Sequence, residues 1–206
     1  LPFYIDINRV RAVKTLAANH DCDIIISDDG LQHYNMNRDV EILVIDGKRR
    51  FGNNLLFPAG PLRESKKRIN SVDFIVNNSG PTEEGEHLMN ISPSRFVHLK
   101  SGKSYPVEKW PMHKQVHAVA GLGNPGRFFD LLARLGFDIA RHPFADHHNF
   151  STTDLHYLDH LPIIMTEKDA SKCKSFNNNR IWYLTIEAEI SDKFIEKLDS
   201  KIKSIN

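Results

Sequence analysis

The chain has 206 residues, 40% hydrophobic and 26% charged, with a formal charge of +1, which suits a globular protein of one large or two small domains at about 150 residues each. Such a charge gives no general electrostatic pull toward nucleic acid, so no nucleic-acid partner is expected. No apolar run approaches the ~18 residues that span a bilayer, and two distant cysteines, Cys22 and Cys173, point to a reducing cytoplasmic setting rather than a disulfide scaffold.

The first thirty residues alternate in pattern. Phe3 to Ile5 reads as a strand, Val10, Val13, Leu16 and Ala17 fall at helical spacing, and Ile24 to Ile26 form a β-branched run. This predicts a βαβ unit opening directly in a strand, as though something N-terminal were removed or supplied elsewhere. The run in "CDIIISDDG" reads as a strand buried on both faces, the habit of a central strand in a parallel sheet. Asp28 and Asp29 then stand at its carboxyl end, where open α/β sheets bind ligands; an Asx turn closed by Gly30 is the plainer alternative. Val40 to Ile45 predicts another strand ending in an acid, Asp46. "RRFGNNLLFPAGPLRESKKR" is a long loop with turn residues throughout, leading to a short basic helix and the strand "VDFIVNNSG".

Composition shifts near Gly80. "PTEEGEH" is polar, and "MNISPSRFVHLKSGKSYPVEKW" reads as a β-hairpin or linker rather than core. From Gln115 a second α/β pattern runs: strand "VHAVAGL", helix "RFFDLLARLG" stopped by Gly136, strand "FDIARHPF", helix "TTDLHYLDHL", strands "PIIMTEKDA" and "RIWYLTIEA", and helix "DKFIEKLDSKIKSI". The expected organisation is a lobe over 1–80, a linker over 81–114 and a second lobe over 115–206.

Four motifs invite chemistry. "GLGNPG", Gly121 to Gly126, matches the dinucleotide fingerprint, with Asp146 about where a ribose-binding acid falls; a dinucleotide-binding oxidoreductase is therefore one alternative. The same stretch also reads as Asn124 capping a helix with Pro125 at its first position, or as amides that bind an anion such as phosphate. Asp146, His147 and His148 resemble the metal-binding triplet of manganese phosphoesterases, a second alternative, although an Asp-His pair in a loop can equally orient or polarise a reacting group. Ser151-x-x-Asp154 is a capping box. Gly102-Lys103-Ser104 ends like a P-loop, but Val97 stands where the first glycine belongs and no helix follows, so it reads as a turn.

Taken together, "SDDGLQHYNMNRDVEILVIDG", "FGNNLLFPAGPLRE", "VAGLGNPGRFFDLLARLGF", "FADHHNFSTTDL" and "IMTEKDASKC" resemble the tetraacyldisaccharide 4'-kinase family, the lipid A 4'-kinases of Gram-negative bacteria, from about Pro2 to the end of the chain. The resemblance implies transfer of the ATP γ-phosphoryl group to the 4'-hydroxyl of a tetraacyl glucosamine disaccharide 1-phosphate, with Mg²⁺, by a peripheral enzyme on the cytoplasmic face of the inner membrane. It implies an α/β fold: an incomplete P-loop-like parallel-sheet lobe plus a second, smaller α/β lobe joined by a β-ribbon. Asp28 and Asp29 fill the Walker-B-like metal position, with Asp29 also catalytic. His147 becomes the second-lobe histidine that supports the catalytic base, and His148 is less essential. Gln32, His33 and Arg63 position the substrate, with Asn124 and Asp146 contributing from the second lobe. The cluster Arg63, Lys66, Lys67 and Arg68 is expected to favour anionic head groups. The family's glycine-rich P-loop, a following acidic motif and a membrane-docking helix lie upstream of the matching segments, so the chain is expected to be the C-terminal portion of such a kinase, or a non-catalytic binding module.

Overall fold

The β-branched run after Glu41 and the Phe-Ile-Val run after Asp73 form the first two strands, β1 (Ile42–Asp46) and β2 (Phe74–Asn78). They pair in parallel from Ile42↔Phe74 to Asp46↔Asn78, and β2 pairs in parallel with the start of β3 (Glu86–His98). The computed structural model describes residues 1–205 and divides into two units: residues 1–90 with the segment from Glu189 onward, and residues 91–188.

In the first unit, α1 (Arg9–Asn19) starts where the Asn8 side chain accepts the Arg11 N–H at 3.1 Å, satisfying one of the four orphan amides of a helix start. The last helix, α4 (Asp192–Lys203), belongs here. Its buried Phe194 meets Phe74 and His87 edge-on, with centroids at 5.5 and 5.0 Å, and Lys201 pairs with Asp73 at 2.9 Å. The expected second lobe over 115–206 therefore loses its final helix to the first unit, because the apolar face of α4 matches the aromatic side chains of β2 and β3.

Neither Phe3–Ile5 nor Ile24–Ile26 forms a strand. The isoleucine run is exposed, Ile26 at 89%. A buried parallel strand needs hydrogen-bonded neighbours, and no strand among the described residues lies alongside this one.

In the second unit the order is β6 (Asp138–Pro143), β5 (Gln115–Ala120), β7 (Ile163–Thr166), β8 (Ile181–Ile190), then β3. The pairings β5–β6, β5–β7 and β7–β8 are parallel. Strand β5 is buried from its second residue onward. Val116, Ala118 and Ala120 face one cluster with Phe128, Phe129, Leu132 and Ile164, while Val119 faces the other with Phe150, Leu155, Ile163 and Met165, the period of two that a strand imposes. Helix α2 (Pro125–Arg134) ends at Gly136, at φ +81°, as expected.

The hairpin is present: β4 (Ser104–Pro106) runs antiparallel to β3, with Gly102 at φ +68° in the turn. It is nonetheless core, since Phe96 has no exposed surface and packs on Trp110 and Phe137 at 4.8 and 5.3 Å. Two other expectations fail. "TTDLHYLDHL" makes only a 3₁₀ turn, Thr153–Leu155, because the Asp154 carboxylate accepts the Ser151 N–H and hydroxyl and so closes a single tight turn. "TEKDA" is not strand: α3 (Glu167–Lys172) starts there, with Thr166 Oγ1 accepting the Asp169 N–H at 3.2 Å.

Phe96→Ala should cost about 3–5 kcal/mol, measured by urea unfolding followed through tryptophan fluorescence. Leu158→Ala, at a side chain 96% exposed, should stay within about 0.5 kcal/mol. Equal losses would show that Phe96 is not a core anchor.

Candidate functional site

Candidate residues gather in two clusters, one per unit. In the first, Asp28 and Asp29 are exposed and have no hydrogen-bond or ion-pair partner among the described residues. Asp29 is left-handed, φ 55° and ψ 34°, and leads into a 3₁₀ turn over Gly30–Gln32. Asp tolerates that conformation better than most residues. A Cβ on the buried Gly30 would stand 2.8 Å from Ser27 Oγ and 3.1 Å from Ser27 Cβ, so glycine lets the turn fold back closely on Ser27.

The turn is fixed by a residue to which the sequence reading gave no role. Arg38 donates to the Gly30 and His33 carbonyls at 2.9 and 3.0 Å and pairs with Glu41, which in turn binds Arg68 at 2.7 Å. The same turn carries Gln32, whose Oε1 accepts from Arg63 at 3.3 Å, and His33, whose Nε2 lies 3.5 Å from Arg9 Nε. The structure thus brings Gln32, His33 and Arg63 onto one patch beside the two carboxylates. Two adjacent exposed carboxylates suit a hard cation such as Mg²⁺, which takes one or two carboxylates and fills its remaining positions with water and phosphate oxygens.

In the second unit, His147 is also left-handed, φ 60°, and its ring is 78% exposed. The Asp146 carboxylate accepts the His147 N–H at 2.9 Å and Lys168 Nζ at 3.3 Å. Burial works against its charge, but Lys168 and His147 outweigh it and hold this carboxyl below its ordinary range. His148 is differently placed: Nε2 lies 3.1 Å from Asp154 Oδ2 and the ring packs between Phe144 and Phe150 at 4.6 and 4.9 Å. One histidine is presented outward and its neighbour is built in.

The "GLGNP" turn lies against this loop. A Cβ on Gly121 would stand 3.2 Å from the Ala145 carbonyl and the same distance from Asp169 Oδ1, and one on Gly123 would be 3.5 Å from Asp146 Oδ2. Asp169, fully buried, accepts the Gly121 N–H at 2.9 Å and the Thr166 hydroxyl at 2.8 Å, with Lys172 Nζ at 3.3 Å. A carboxylate beneath the first glycine disfavours a pyrophosphate there, which argues against the dinucleotide reading. Asn124 does not cap α2, since its side chain makes no capping bond; Pro125 does occupy the first turn. Asp169 and Lys168 were visible only as a Thr-x-x-Asp cap pattern, read as strand.

A third cluster, also outside the sequence expectations, lies inside the second unit. Asp159 binds His117 Nε2 at 2.9 Å, and His117 Nδ1 lies 2.9 Å from His142 Nε2. The carboxylate requires Nε2–H on His117, leaving Nδ1 to accept from His142. Tyr157 stacks on His117 at 3.8 Å, and burial pushes its hydroxyl up to about 12. Arg180 stands 3.7 Å from Asp159.

A model of the family described as "Tetraacyldisaccharide-1-P 4'-kinase" matches residues 1–203. The chain is 49% identical over 202 residues to a tetraacyldisaccharide 4'-kinase from Ruthia magnifica subsp. Calyptogena magnifica, covering 98% of this chain and 64% of the relative. It is 45% identical to a protein of the same name from Shewanella woodyi, covering 100% and 60% respectively. The chain spans about three-fifths of the length of the curated relatives it matches. A crystal structure of the "apo" form of LpxK from Aquifex aeolicus in complex with ATP has the same fold, with TM-score 0.63 and 24% identity over 84% of this chain and 55% of that one.

Asp169→Ala should destabilise the protein by about 3–5 kcal/mol, because it leaves a partly buried ammonium and an amide without their partner; a denaturation midpoint unchanged from wild type would refute the anchoring role. Acidification should act through His142, whose pKa is lowered by burial and then by His117, against the raising effect of Asp159. The folded protein holds that proton less tightly than the unfolded chain. The associated stability is therefore complete above about pH 6.5 and is lost as pH falls below it toward the folded value. His142→Gln should flatten the fall in urea midpoint between neutral and mildly acidic pH without abolishing it, since His87 is depressed likewise by burial, Lys197 and Lys193. An identical pH slope in the variant would remove His142 from the account.

Proposed function

The chain belongs to the tetraacyldisaccharide-1-P 4'-kinase family, and from that premise we propose that the protein of which these residues form the matching part transfers the γ-phosphoryl group of ATP to the 4'-hydroxyl of a tetraacyl glucosamine disaccharide 1-phosphate, in lipid A biosynthesis. The observation that carries the reading is the pair Asp28–Asp29, held exposed on a turn that Arg38 fixes from behind and that carries the Gln32–Arg63 contact.

In this reading Asp28 and Asp29 hold Mg²⁺, which when bound neutralises charge on the nucleotide phosphates. Asp29 is also catalytic, and its left-handed backbone sets it at the start of the Gly30–Gln32 turn that carries Gln32. Gln32, His33 and Arg63 orient the sugar phosphate. A guanidinium suits that task because its planar donor fork matches phosphate oxygens. His147 supports the catalytic base, and its outward ring and locally fixed main chain are what such a role requires. Asn124, with no capping duty, and Asp146, held ionised by Lys168, supply further polar contacts to the sugar.

The protein acts at the surface of the inner membrane, on its cytoplasmic face, as a peripheral enzyme. No helix among the described residues is long and apolar enough to cross a membrane. The phosphate cradle is not the Gly102-Lys103-Ser104 stretch, which forms the β3–β4 turn. Phosphoryl transfer depends on positioning and electrostatic stabilisation of the γ-phosphate, so the 206-residue chain alone should bind ATP weakly and turn over no substrate, while a full-length relative carrying the same residues should be active.

In that full-length protein Asp28→Asn and Asp29→Asn should each lower kcat about a hundredfold or more, read as 4'-phosphate formation by mass spectrometry. His147→Ala should lose kcat at unchanged thermal stability, and His148→Ala should lose stability first. Normal turnover in both aspartate variants would end the metal assignment. Greater kcat damage in a folded His148→Ala than in His147→Ala would reverse the two histidines.

A further inference from the structure

The loop between β1 and β2 contains an unusual combination. Its tip carries Leu55, Leu56 and Phe57, exposed at 50%, 50% and 79%. An apolar tip on a loose loop would be unremarkable, but this loop is closed on itself. The Leu62 N–H donates to the Leu55 carbonyl at 3.2 Å, Phe57 N–H to the Leu62 carbonyl at 2.7 Å, and Gly60 N–H to the Leu56 carbonyl at 3.0 Å. The Asn53 side chain adds two more bonds, accepting the Leu55 N–H at 3.1 Å and donating to the Ala59 carbonyl at 2.9 Å. Gly60 has no room for a Cβ, which would run into Asn53 Oδ1 and the Leu55 carbonyl. Main-chain polar groups thus face one another while large apolar side chains face outward, an arrangement that lowers the cost of entering an apolar medium.

Charge at the neck of the loop names the medium. From Arg49 to Arg68 the sequence holds six cations, Arg49, Arg50, Arg63, Lys66, Lys67 and Arg68, against one acid, Glu64. Arg50 is taken by Glu83 and Glu86, and Arg68 by Glu41 and Glu64. Arg49, Arg63, Lys66 and Lys67 are exposed and have no ion pair among the described residues. They stand at the neck: Lys66 Nζ lies 5.0 Å from the Phe51 ring centroid, a Cβ on Gly52 would meet Pro61 Cγ at 2.8 Å, and Arg63 follows the Leu56↔Leu62 bridge. Apolar side chains at a tip with cations set behind them match an anionic bilayer, acyl region ahead and head groups behind.

We propose that the loop Asn53–Leu62 is a membrane-docking element, in which Leu55, Leu56 and Phe57 enter the acyl boundary of an anionic bilayer while Arg49, Arg63, Lys66 and Lys67 meet its head groups. The inference deepens the peripheral-membrane reading above, and rests on it, by naming the surface that meets lipid.

The test is co-sedimentation of the chain with vesicles of equimolar phosphatidylethanolamine and phosphatidylglycerol, and with vesicles of phosphatidylcholine alone. Wild type should bind the anionic vesicles and leave the neutral ones. A Leu55→Ser, Leu56→Ser, Phe57→Ser variant should lose about tenfold or more in partition, given three large apolar side chains, and Lys66→Glu with Lys67→Glu should lose binding in a salt-dependent way. Separately, Phe57→Trp should add fluorescence that brominated acyl chains quench, over the background of Trp110 and Trp182. Wild-type binding left unchanged by the serine variant, with no quenching at position 57, overturns the loop assignment while the peripheral reading stands. Equal failure of wild type on both vesicle types overturns the loop proposal, and the same failure by a full-length relative overturns the peripheral reading too. A serine variant that alters self-association in analytical sedimentation but not vesicle binding makes the loop a contact between copies, and overturns the proposal as well.

Discussion

The second unit depends on one buried carboxylate. Asp169 has no exposed surface, yet it ties the Gly121 amide after β5, 48 residues away, to its own neighbourhood, the Thr166 hydroxyl at the end of β7 and Lys172 at the end of α3. A buried charge survives only where hydrogen bonds and an opposite charge replace its water. This one therefore dictates that the two turns at the carboxyl ends of neighbouring parallel strands stay in fixed register. The Asp146–His147 loop lies against the same turn, through Ala145 beside Gly121 and Asp146 beside Gly123, so its placement follows from that register. Lys168, next to Asp169 in sequence, reaches Asp146. Consecutive residues of one short helix thus serve the frame and the candidate site.

The sequence disclosed what depends on local pattern. Alternation along β5, the apolar face of α2 and its stop at Gly136 are properties of the segment itself, and all three are where periodicity puts them. Ile24–Ile26 has the same kind of pattern but makes no strand, because pattern supplies propensity and a ladder needs a neighbour. "TTDLHYLDHL" looked helical by spacing throughout, but Asp154 near its start was spent on Ser151 and His148, a side-chain competition that spacing does not show. Phe96 looked like part of a hairpin or linker because its burial comes from Trp110, across the hairpin, and from Phe137, 41 residues on.

Legibility of the candidate site follows the same division. Asp28, Asp29, Gln32, His33 and Arg63 could be read because they sit in short motifs, and the contact between Gln32 and Arg63 bridges two of these motifs. Arg38 could not be, since its role is to hold carbonyl oxygens from behind, and any exposed-looking arginine has the same one-letter signature. The His117–His142 pair escaped for a related reason: each is an isolated histidine, one in the buried β5 and one in the largely exposed β6, and only the pairing of these strands brings them to 2.9 Å.

The division of the chain also bears on the order in which it is made. Residues 91–188 are continuous, whereas the first unit is assembled from residues 1–90 and the segment from Glu189 onward. A ribosome delivers the whole of the second unit before α4 exists. That unit can therefore fold during synthesis, while Phe74 and His87 wait for Phe194 across more than a hundred intervening residues. For that interval the aromatic face of β2 and β3 is uncovered, and any partner able to occupy it competes with α4. Loss of α4 would accordingly injure the unit built on residues 1–90 and spare residues 91–188, its immediate neighbours in sequence.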